Sequence, residues 1–179
     1  YNIGKKYLSK RIKGQASDLG SQLTYTNERT FSKNFIKKKY NWIENKPIIG
    51  IYCAQWFDTP HAYGMKNFRD IYDWFNLTLT EIKKNNFAYW LIKPHPVENW
   101  YGGFKLVENF KNQETKNVKI FSEQINNLNF INLIDAAVTV HGTIGLELTN
   151  LQKPVLCSDK SSYYNFNFTI NSHSRFDYA

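Results

Sequence analysis

The 179-residue chain is 42% hydrophobic and 17% aromatic and carries a formal net charge of +8. It is long enough for one α/β domain with a buried core and too short for two full domains. No apolar run approaches the length of a membrane span, and no signal peptide is visible. The sequence starts at Tyr1 and its single methionine is Met65, so we expect a fragment of a longer protein.

The basic residues are concentrated at the N-terminal end, in a segment that we interpret as a basic helical arm or linker over residues 1–46. Residues 1–40 hold ten Lys or Arg against two acidic residues, whereas the rest of the chain holds 13 of each. Such a segment favours either a solvated helical face or a contact with anionic lipid, a polyanionic acceptor or nucleic acid. Because it lacks the signature of a nucleic-acid module, we expect no nucleic acid. Peripheral contact with a membrane through basic residues 5–39 stays open.

Hydrophobic periodicity predicts helices and strands that alternate along the chain. Apolar residues near the 3.6 period predict an amphipathic helix over 30–44 and a longer helix over 67–84. Short apolar segments "NFINLID" and "TIGLELTNLQ" predict two further helices. Five runs have the length and composition of buried strands: "PIIGIYCA", "FAYWLIK", "NVKIFS", "AAVTV" and "PVLCS".

Strands without apolar–polar alternation, separated by helical patterns, indicate a parallel sheet covered on both faces. We therefore predict a Rossmann-like, doubly wound α/β domain over residues 47–179. In such sheets, ligands bind at the carboxyl ends of the strands. Polar, titratable and glycine residues follow four of the five predicted strands, in "QWFDTPHAYG", "KPHPVENWYGG", "HGTIGLE" and "SDKSSYYNF". The sequence thus predicts a binding site at this edge.

The stretch "VTVHGTIGLE" has the pattern of a strand that runs into a glycine turn and then a helix. Thr143 is placed to cap the helix, so that first-turn N–H groups would point at a ligand. Gly142 would allow the close backbone approach that a phosphate requires. Glu147 lies one turn further along, within reach of a ribose hydroxyl. An ordinary capped helix has the same pattern.

The stretch "WLIKPHP" ends a predicted strand with two side chains in a proline-stiffened turn. We expect Lys93 and His95 to lie on opposite sides of this extended segment. His95 could donate to a phosphate oxygen or protonate a leaving group near neutral pH, or it could simply be a histidine in a rigid turn. Lys93 could neutralise an anion or pair with a carboxylate such as Glu98 or Asp58.

The loop after the first strand supplies Gln55, Asp58 and His61. Asp58 could bind a sugar hydroxyl, orient His95 or Lys93, or cap a turn, and the sequence does not separate these roles. The histidines lie on separate loops without metal-ligand spacing, so we predict a site that needs no metal. Cys53 and Cys157 are expected to be reduced core thiols, which indicates a cytoplasmic protein.

"WLIKPHP", together with "AVTVHGTIGLELTNLQKPVLCSDKSSYYNFNFT" and "FDTPHAYGMKNFRDIYDWFNLTLTEI", resembles the C-terminal, nucleotide-binding half of bacterial capsule and surface-polysaccharide biosynthesis proteins. These are glycosyltransferases of the GT-B type, related in motif to capsule Kdo transferases, His-Pro sialyltransferases and CDP-glycerol polymerases. The resemblance covers about residues 47–170. It is fairly specific for the superfamily and weak for the sugar.

The resemblance implies a donor domain for a nucleotide sugar, CMP- or UDP-linked, that acts as substrate without a separate cofactor. His95 would contact the donor phosphate and help the nucleotide to leave, and Glu147 would face the ribose. The relatives often have Ser-Ser where this chain has Gly-Thr. A polysaccharide or lipid-linked acceptor and the catalytic base would belong to an N-terminal domain absent from this chain. The residues expected to bind the donor are Lys93, His95, Pro96, His141, Gly142, Thr143, Ile144, Glu147, Gln55, Asp58 and Ser161.

Two alternatives stay open beside a glycosyltransferase. One is a related enzyme such as a UDP-sugar 2-epimerase or a polyol-phosphate transferase, although this edge offers fewer carboxylates than epimerases normally have. The other is a non-catalytic binding module that uses the basic arm.

Overall fold

The computed structural model describes residues 2–15, 17, 19–26, 29–56, 65–98 and 105–179. Within them the α-helices are α1 (Asn2–Ile12), α2 (Leu19–Thr26), α3 (Lys33–Lys39), α4 (Ile71–Lys84), α5 (Leu106–Phe110), α6 (Asn127–Leu133), α7 (Ile144–Asn150) and α8 (Arg175–Tyr178). The strands are β1 (Ile48–Tyr52), β2 (Tyr89–Lys93), β3 (Val118–Ile120), β4 (Ala136–Thr139), β5 (Val155–Cys157) and β6 (Ile170–Asn171).

The six strands form one parallel sheet in the order β3-β2-β1-β4-β5-β6. All five predicted strands are present, and β6 is added at the edge. The sequence did not reveal β6 because two residues are too few to form a hydrophobic pattern. The chain extends the sheet in one direction from β1 to β3 and in the other from β4 to β6. Strand order therefore reverses between β1 and β4, where such folds form a crevice.

Helices cover both faces of the sheet, which confirms the predicted Rossmann-like α/β class. One apolar cluster joins the sheet to Ile36 of α3, Phe130 of α6 and Leu148 of α7. The opposite cluster joins it to the buried face of α4 and to Leu106 of α5. The central strands β1, β2 and β4 are largely buried on both sides, because helices exclude water from each face, whereas β6 at the edge is partly exposed.

Two predicted helices are shorter than their hydrophobic patterns. The helix predicted over 30–44 is α3, which begins after Ser32, whose hydroxyl accepts from the Phe35 N–H at 3.1 Å. The helix predicted over 67–84 is α4, which begins after Asp70, whose carboxylate accepts from the Asp73 N–H at 2.7 Å. Such caps satisfy first-turn amides and set the start of a helix where periodicity alone cannot.

Several residues of the predicted arm belong to the interior. Tyr25, Ile36 and Trp42 are each less than 5% exposed, and the Trp42 ring stacks on Tyr89 of β2 with centroids 4.5 Å apart. Cys53 and Cys157 are buried and are not bonded to each other, as predicted. None of the described helices is long and apolar enough to cross a bilayer.

Gly145 lies in the first turn of α7 against the ring of Tyr163. A Cβ at this position would overlap the Tyr163 hydroxyl and lie 2.7 Å from Cζ. The ring is buried, and its hydroxyl donates to the Gly142 carbonyl at 2.6 Å, so it cannot move aside freely. Gly145 therefore allows α7 to pack closely beside the loop that follows β5.

We expect Gly145→Ala to lower the free energy of unfolding by about 1–3 kcal/mol, the usual cost of overpacking. Gly4→Ala in α1 is the matched control, because nothing lies within 4 Å of its added Cβ. This control should be neutral or gain up to about 1 kcal/mol from helix propensity. Urea denaturation of both variants measures the difference, and equal effects would contradict the packing role of Gly145.

Candidate active site

A cavity of about 500 Å³ lies at the carboxyl ends of the strands, within the size range of small-molecule sites. Three aligned residues at the strand ends form its floor: Tyr52 of β1 lies beside Lys93 of β2 and beside Thr139 of β4. The loops after β4 and β5 add further walls. Helices α1 and α2 contribute the remaining side, through Arg11, Thr24 and Tyr25.

Most of the residues predicted to bind a donor line this cavity. They are Lys93, His95, Pro96, His141, Gly142, Thr143, Ile144, Glu147 and Ser161. Gln55 is buried and is not among the residues that line it. Asp58 and the neighbouring His61 lie outside the described residues.

Lys93 is buried at the floor of the cavity. Its Nζ donates to Asn127 Oδ1 at 2.6 Å and lies 5.3 Å and 5.2 Å from the ring centroids of Tyr52 and Phe130. Burial lowers the pKa of Lys93 to about 7, an effect that the Glu147 carboxylate partly offsets. The charge on this amine therefore changes near neutral pH.

One expectation about Lys93 was wrong, and one of its open alternatives does not hold. Lys93 and His95 line the same cavity and not opposite sides, because residues two apart in an extended chain project to the same side. Lys93 also does not pair with Glu98. That buried carboxylate accepts from the backbone N–H of Leu106 and, at 3.0 Å, from Trp56 Nε1.

His95 follows β2 between two prolines that also line the cavity. Its Nδ1 accepts from the Val97 N–H at 3.4 Å. A neutral imidazole that accepts at Nδ1 carries its proton on Nε2. A neutral His95 therefore carries its ring proton on Nε2.

The turn after β4 differs from its prediction at Thr143. The Thr143 backbone is helical, with φ −57° and ψ −18°, and its hydroxyl makes no capping hydrogen bond to α7. A capping hydroxyl normally needs an extended backbone at this position. The Thr143 hydroxyl instead lies 3.5 Å from Arg11 Nη2, at the cavity wall.

Glu147 is buried in α7 and accepts hydrogen bonds from two helices of the N-terminal segment. Arg11 Nε of α1 donates to Oε1, and the Tyr25 hydroxyl of α2 donates to Oε2. Burial and the adjacent Glu147 carboxylate raise the pKa of Tyr25 well above its ordinary value. Asn127 Nδ2 also donates to the Tyr25 hydroxyl at 3.0 Å, which links this network to Lys93.

No local sequence pattern indicated that Arg11, Tyr25 and Asn127 belong to the site. Arg11 is one of ten basic residues in the first forty, and nothing local distinguishes it from the others. Tyr25 and Asn127 have no motif. Only their contacts with Glu147 and Lys93 identify them, and those contacts join positions more than thirty residues apart.

The charged residues that line the cavity are mainly basic. Among the described residues, the lining includes the basic side chains of Arg11, Lys93 and Lys160 and one carboxylate, that of Glu147. Over the described part of the chain, no three His, Cys, Asp or Glu side chains are grouped as a metal site would require. The balance of charge in the cavity favours an anionic ligand.

Comparison with known proteins shows the family of this chain. The family described as "Capsule polysaccharide biosynthesis protein" matches residues 6–175. Among solved structures, the chain is similar to Thermosulfurimonas dismutans KpsC, beta Kdo 2,4 transferase, with a TM-score of 0.64 and 14% identity over 99% of this chain and 50% of that one.

A second similar structure is Thermosulfurimonas dismutans KpsC, beta Kdo 2,7 transferase. The TM-score is 0.54 and the identity 17%, over 92% of this chain and 55% of that one. The chain therefore spans about half the length of these structures, and at such identities the likeness concerns the fold. No curated protein matches the sequence.

The lowered pKa of Lys93 predicts a specific dependence of stability on pH. Between about pH 7 and the unfolded value of 10.5, the unfolded chain holds a proton on Lys93 that the folded chain has released. Stability from this group must therefore rise with pH across that window. Below pH 7 the amine is charged in both states, and its burial cost is constant.

We expect Lys93→Met to remove this dependence. Relative to the variant, wild-type stability should rise by about 1.4 kcal/mol for each pH unit between 7 and 10. Chemical denaturation of both proteins at several pH values measures the difference. Parallel curves would show that Lys93 keeps an ordinary pKa in the folded chain.

Proposed function

Because the chain belongs to the capsule polysaccharide biosynthesis protein family, we propose that its strand-end cavity binds a nucleotide-activated sugar for glycosyl transfer. The observation that carries this proposal is the cavity of about 500 Å³, whose lining, in the part of the chain that the structure describes, holds three basic side chains and one carboxylate. A nucleotide sugar is anionic at its phosphates and fits a concave site of this size and charge. The transferase names of the two similar structures also support it.

The chemistry of glycosyl transfer fits the residues that the cavity brings together. Departure of the nucleotide develops negative charge on a phosphate oxygen, which hydrogen-bond donors placed in advance can stabilise. His95 lines the cavity with an imidazole, which is a hydrogen-bonding side chain, and Lys93 contributes an amine whose charge can respond to an anion. We assign His95 to the leaving phosphate and Lys93 to charge neutralisation beneath it.

The Gly142–Thr143 turn is assigned to the same phosphate region. Thr143 contributes its hydroxyl at the wall, where it lies beside the Arg11 guanidinium. Gly142 packs closely on Thr139, since an added Cβ would lie 3.2 Å from the Thr139 hydroxyl. Its carbonyl is held by Tyr163, which fixes the position of the turn.

We assign donor binding to this chain and transfer to the protein as a whole. The acceptor is proposed to be a polysaccharide or a lipid-linked saccharide, in keeping with the family. We propose that the catalytic base is supplied by the part of the protein that binds the acceptor, and we assign that role to no described residue. The CMP- or UDP-linked nature of the donor and its independence of metal stay predictions.

Calorimetric titration with CMP, CDP, UDP and GDP tests donor binding directly. We expect one nucleotide to bind selectively and Thr143→Ala to weaken it by about 2- to 10-fold, the effect of one hydrogen bond. Thr149→Ala is the control, because that hydroxyl donates to the Gly145 carbonyl on the same helix and does not line the cavity. A folded wild-type protein that binds none of the four would refute the proposal.

His95→Ala should lower the turnover of glycosyl transfer by about 100- to 1,000-fold, the usual cost of losing one donor to developing charge. His173→Ala is the matched control, since His173 is exposed, contacts Tyr164 and does not line the cavity. Steady-state assays of the active protein, with thermal melting to check the fold, measure the effect. Unchanged turnover in His95→Ala would remove His95 from the mechanism.

A further inference from the structure

We propose that Arg11 is a donor-binding residue that holds the nucleotide phosphate, and that Glu147 and Tyr25 position its guanidinium. The inference deepens the proposed function and rests on it. It gives helices α1 and α2 a direct part in the site, although the sequence indicated only a basic arm.

The position of Arg11 is the first support. Its side chain is 17% exposed, lines the cavity and donates through Nε to the Glu147 carboxylate. Nη2 lies 3.5 Å from the Thr143 hydroxyl, at the turn assigned to the phosphate. One edge of the guanidinium is thus fixed by a carboxylate, while Nη2 lies beside the expected position of the anion.

The surroundings of Glu147 explain how Arg11 is held in place. The Glu147 carboxylate is buried and is also bonded by the Tyr25 hydroxyl. The Tyr25 hydroxyl in turn accepts a hydrogen bond from Asn127 Nδ2, and Asn127 Oδ1 accepts one from the Lys93 amine. A cation fixed by such a network loses little conformational freedom when a ligand arrives.

The other basic residues of the N-terminal segment provide a contrast. Lys33 pairs with Asp135 at 2.6 Å and Lys39 with Glu123 at 2.7 Å, both at the partly exposed surface. Among the basic residues of the segment that the structure describes, only Arg11 lines the cavity. Its place therefore reflects more than the general charge of the segment.

The chemistry of a guanidinium suits this role. It is planar and permanently charged, and it can present two parallel N–H groups to a phosphate while another edge stays bonded to a carboxylate. Glu147 keeps further capacity as an acceptor, since a carboxylate has about four lone-pair sites. The earlier prediction that Glu147 faces the ribose is therefore compatible with this positioning role.

The test compares a nucleotide with its nucleoside, so that only the phosphate differs. CMP and cytidine form the first pair, UMP and uridine the second, and binding is measured by calorimetry at one ionic strength. We expect Arg11→Gln to weaken nucleotide binding by about 10- to 100-fold, the effect of a charge-assisted hydrogen bond, and to leave nucleoside binding within about 2-fold. Arg11→Lys should give an intermediate loss, because it keeps the charge without the planar fork.

Lys10→Gln is the matched control. It removes the same charge from the adjacent residue of α1, which is exposed and does not line the cavity. Nucleotide affinity should change little in this variant. An equal loss of nucleotide affinity in Lys10→Gln and Arg11→Gln would show that the effect arises from long-range charge, and it would overturn the proposal.

Other outcomes also decide the question. Equal weakening of nucleotide and nucleoside in Arg11→Gln would make Arg11 a structural support, and no weakening at all would remove it from the site. If the wild type binds nucleotide normally in either case, the proposed function stands and only this inference falls. If the folded wild type binds no nucleotide, both fall.

Arg11→Gln leaves a buried carboxylate without its cation and could fail to fold. The double variant Arg11→Gln with Glu147→Gln removes that unpaired charge. The ratio of nucleotide to nucleoside affinity should still be reduced by about 10- to 100-fold. A wild-type ratio in the folded double variant would overturn the proposal.

Discussion

Glu147 is a carboxylate buried at the start of a helix, and burial of such a group is costly unless hydrogen bonds and opposite charge compensate it. Its partners, Arg11 and Tyr25, come from α1 and α2, more than a hundred residues earlier in the chain. These two bonds tie the N-terminal helices to the carboxyl edge of the sheet. The cavity has a closed side because of this contact, so its shape depends on how one carboxylate is satisfied.

The parallel sheet imposes a second constraint. Tyr52 at the end of β1 lies between Lys93 of β2 and Thr139 of β4, because the three parallel strands are aligned there. The reversal in strand order falls between Tyr52 and Thr139. A lysine at this position cannot reach solvent easily, and two aromatic rings and one amide surround its amine. The lowered pKa of Lys93 is thus a consequence of the topology, with burial as its physical cause.

The basic character of the first forty residues is divided among several uses. Lys33 pairs with Asp135 and Lys39 pairs with Glu123, whereas Arg11 pairs with Glu147 and lines the cavity. Lys6 and Lys10 lie on the exposed part of α1, near the exposed Ile3 and Tyr7. Net charge alone would assign all of them one role. The contacts show that a charged segment can at once attach a helix, line a site and face solvent.

The sequence by itself determined the class of the fold, the five longer strands and several of the residues that line the cavity. Buried parallel strands and the loops that follow them leave a strong local pattern, so "KPHP" and "HGTIGLE" could be placed at one edge. The tertiary structure alone decided that Lys93 and Asn127 are partners, that Thr143 does not cap its helix and that Arg11 reaches Glu147. Those outcomes depend on which side chains meet across the sheet, and burial and hydrogen-bond demand are properties of the packed chain, which local sequence does not record.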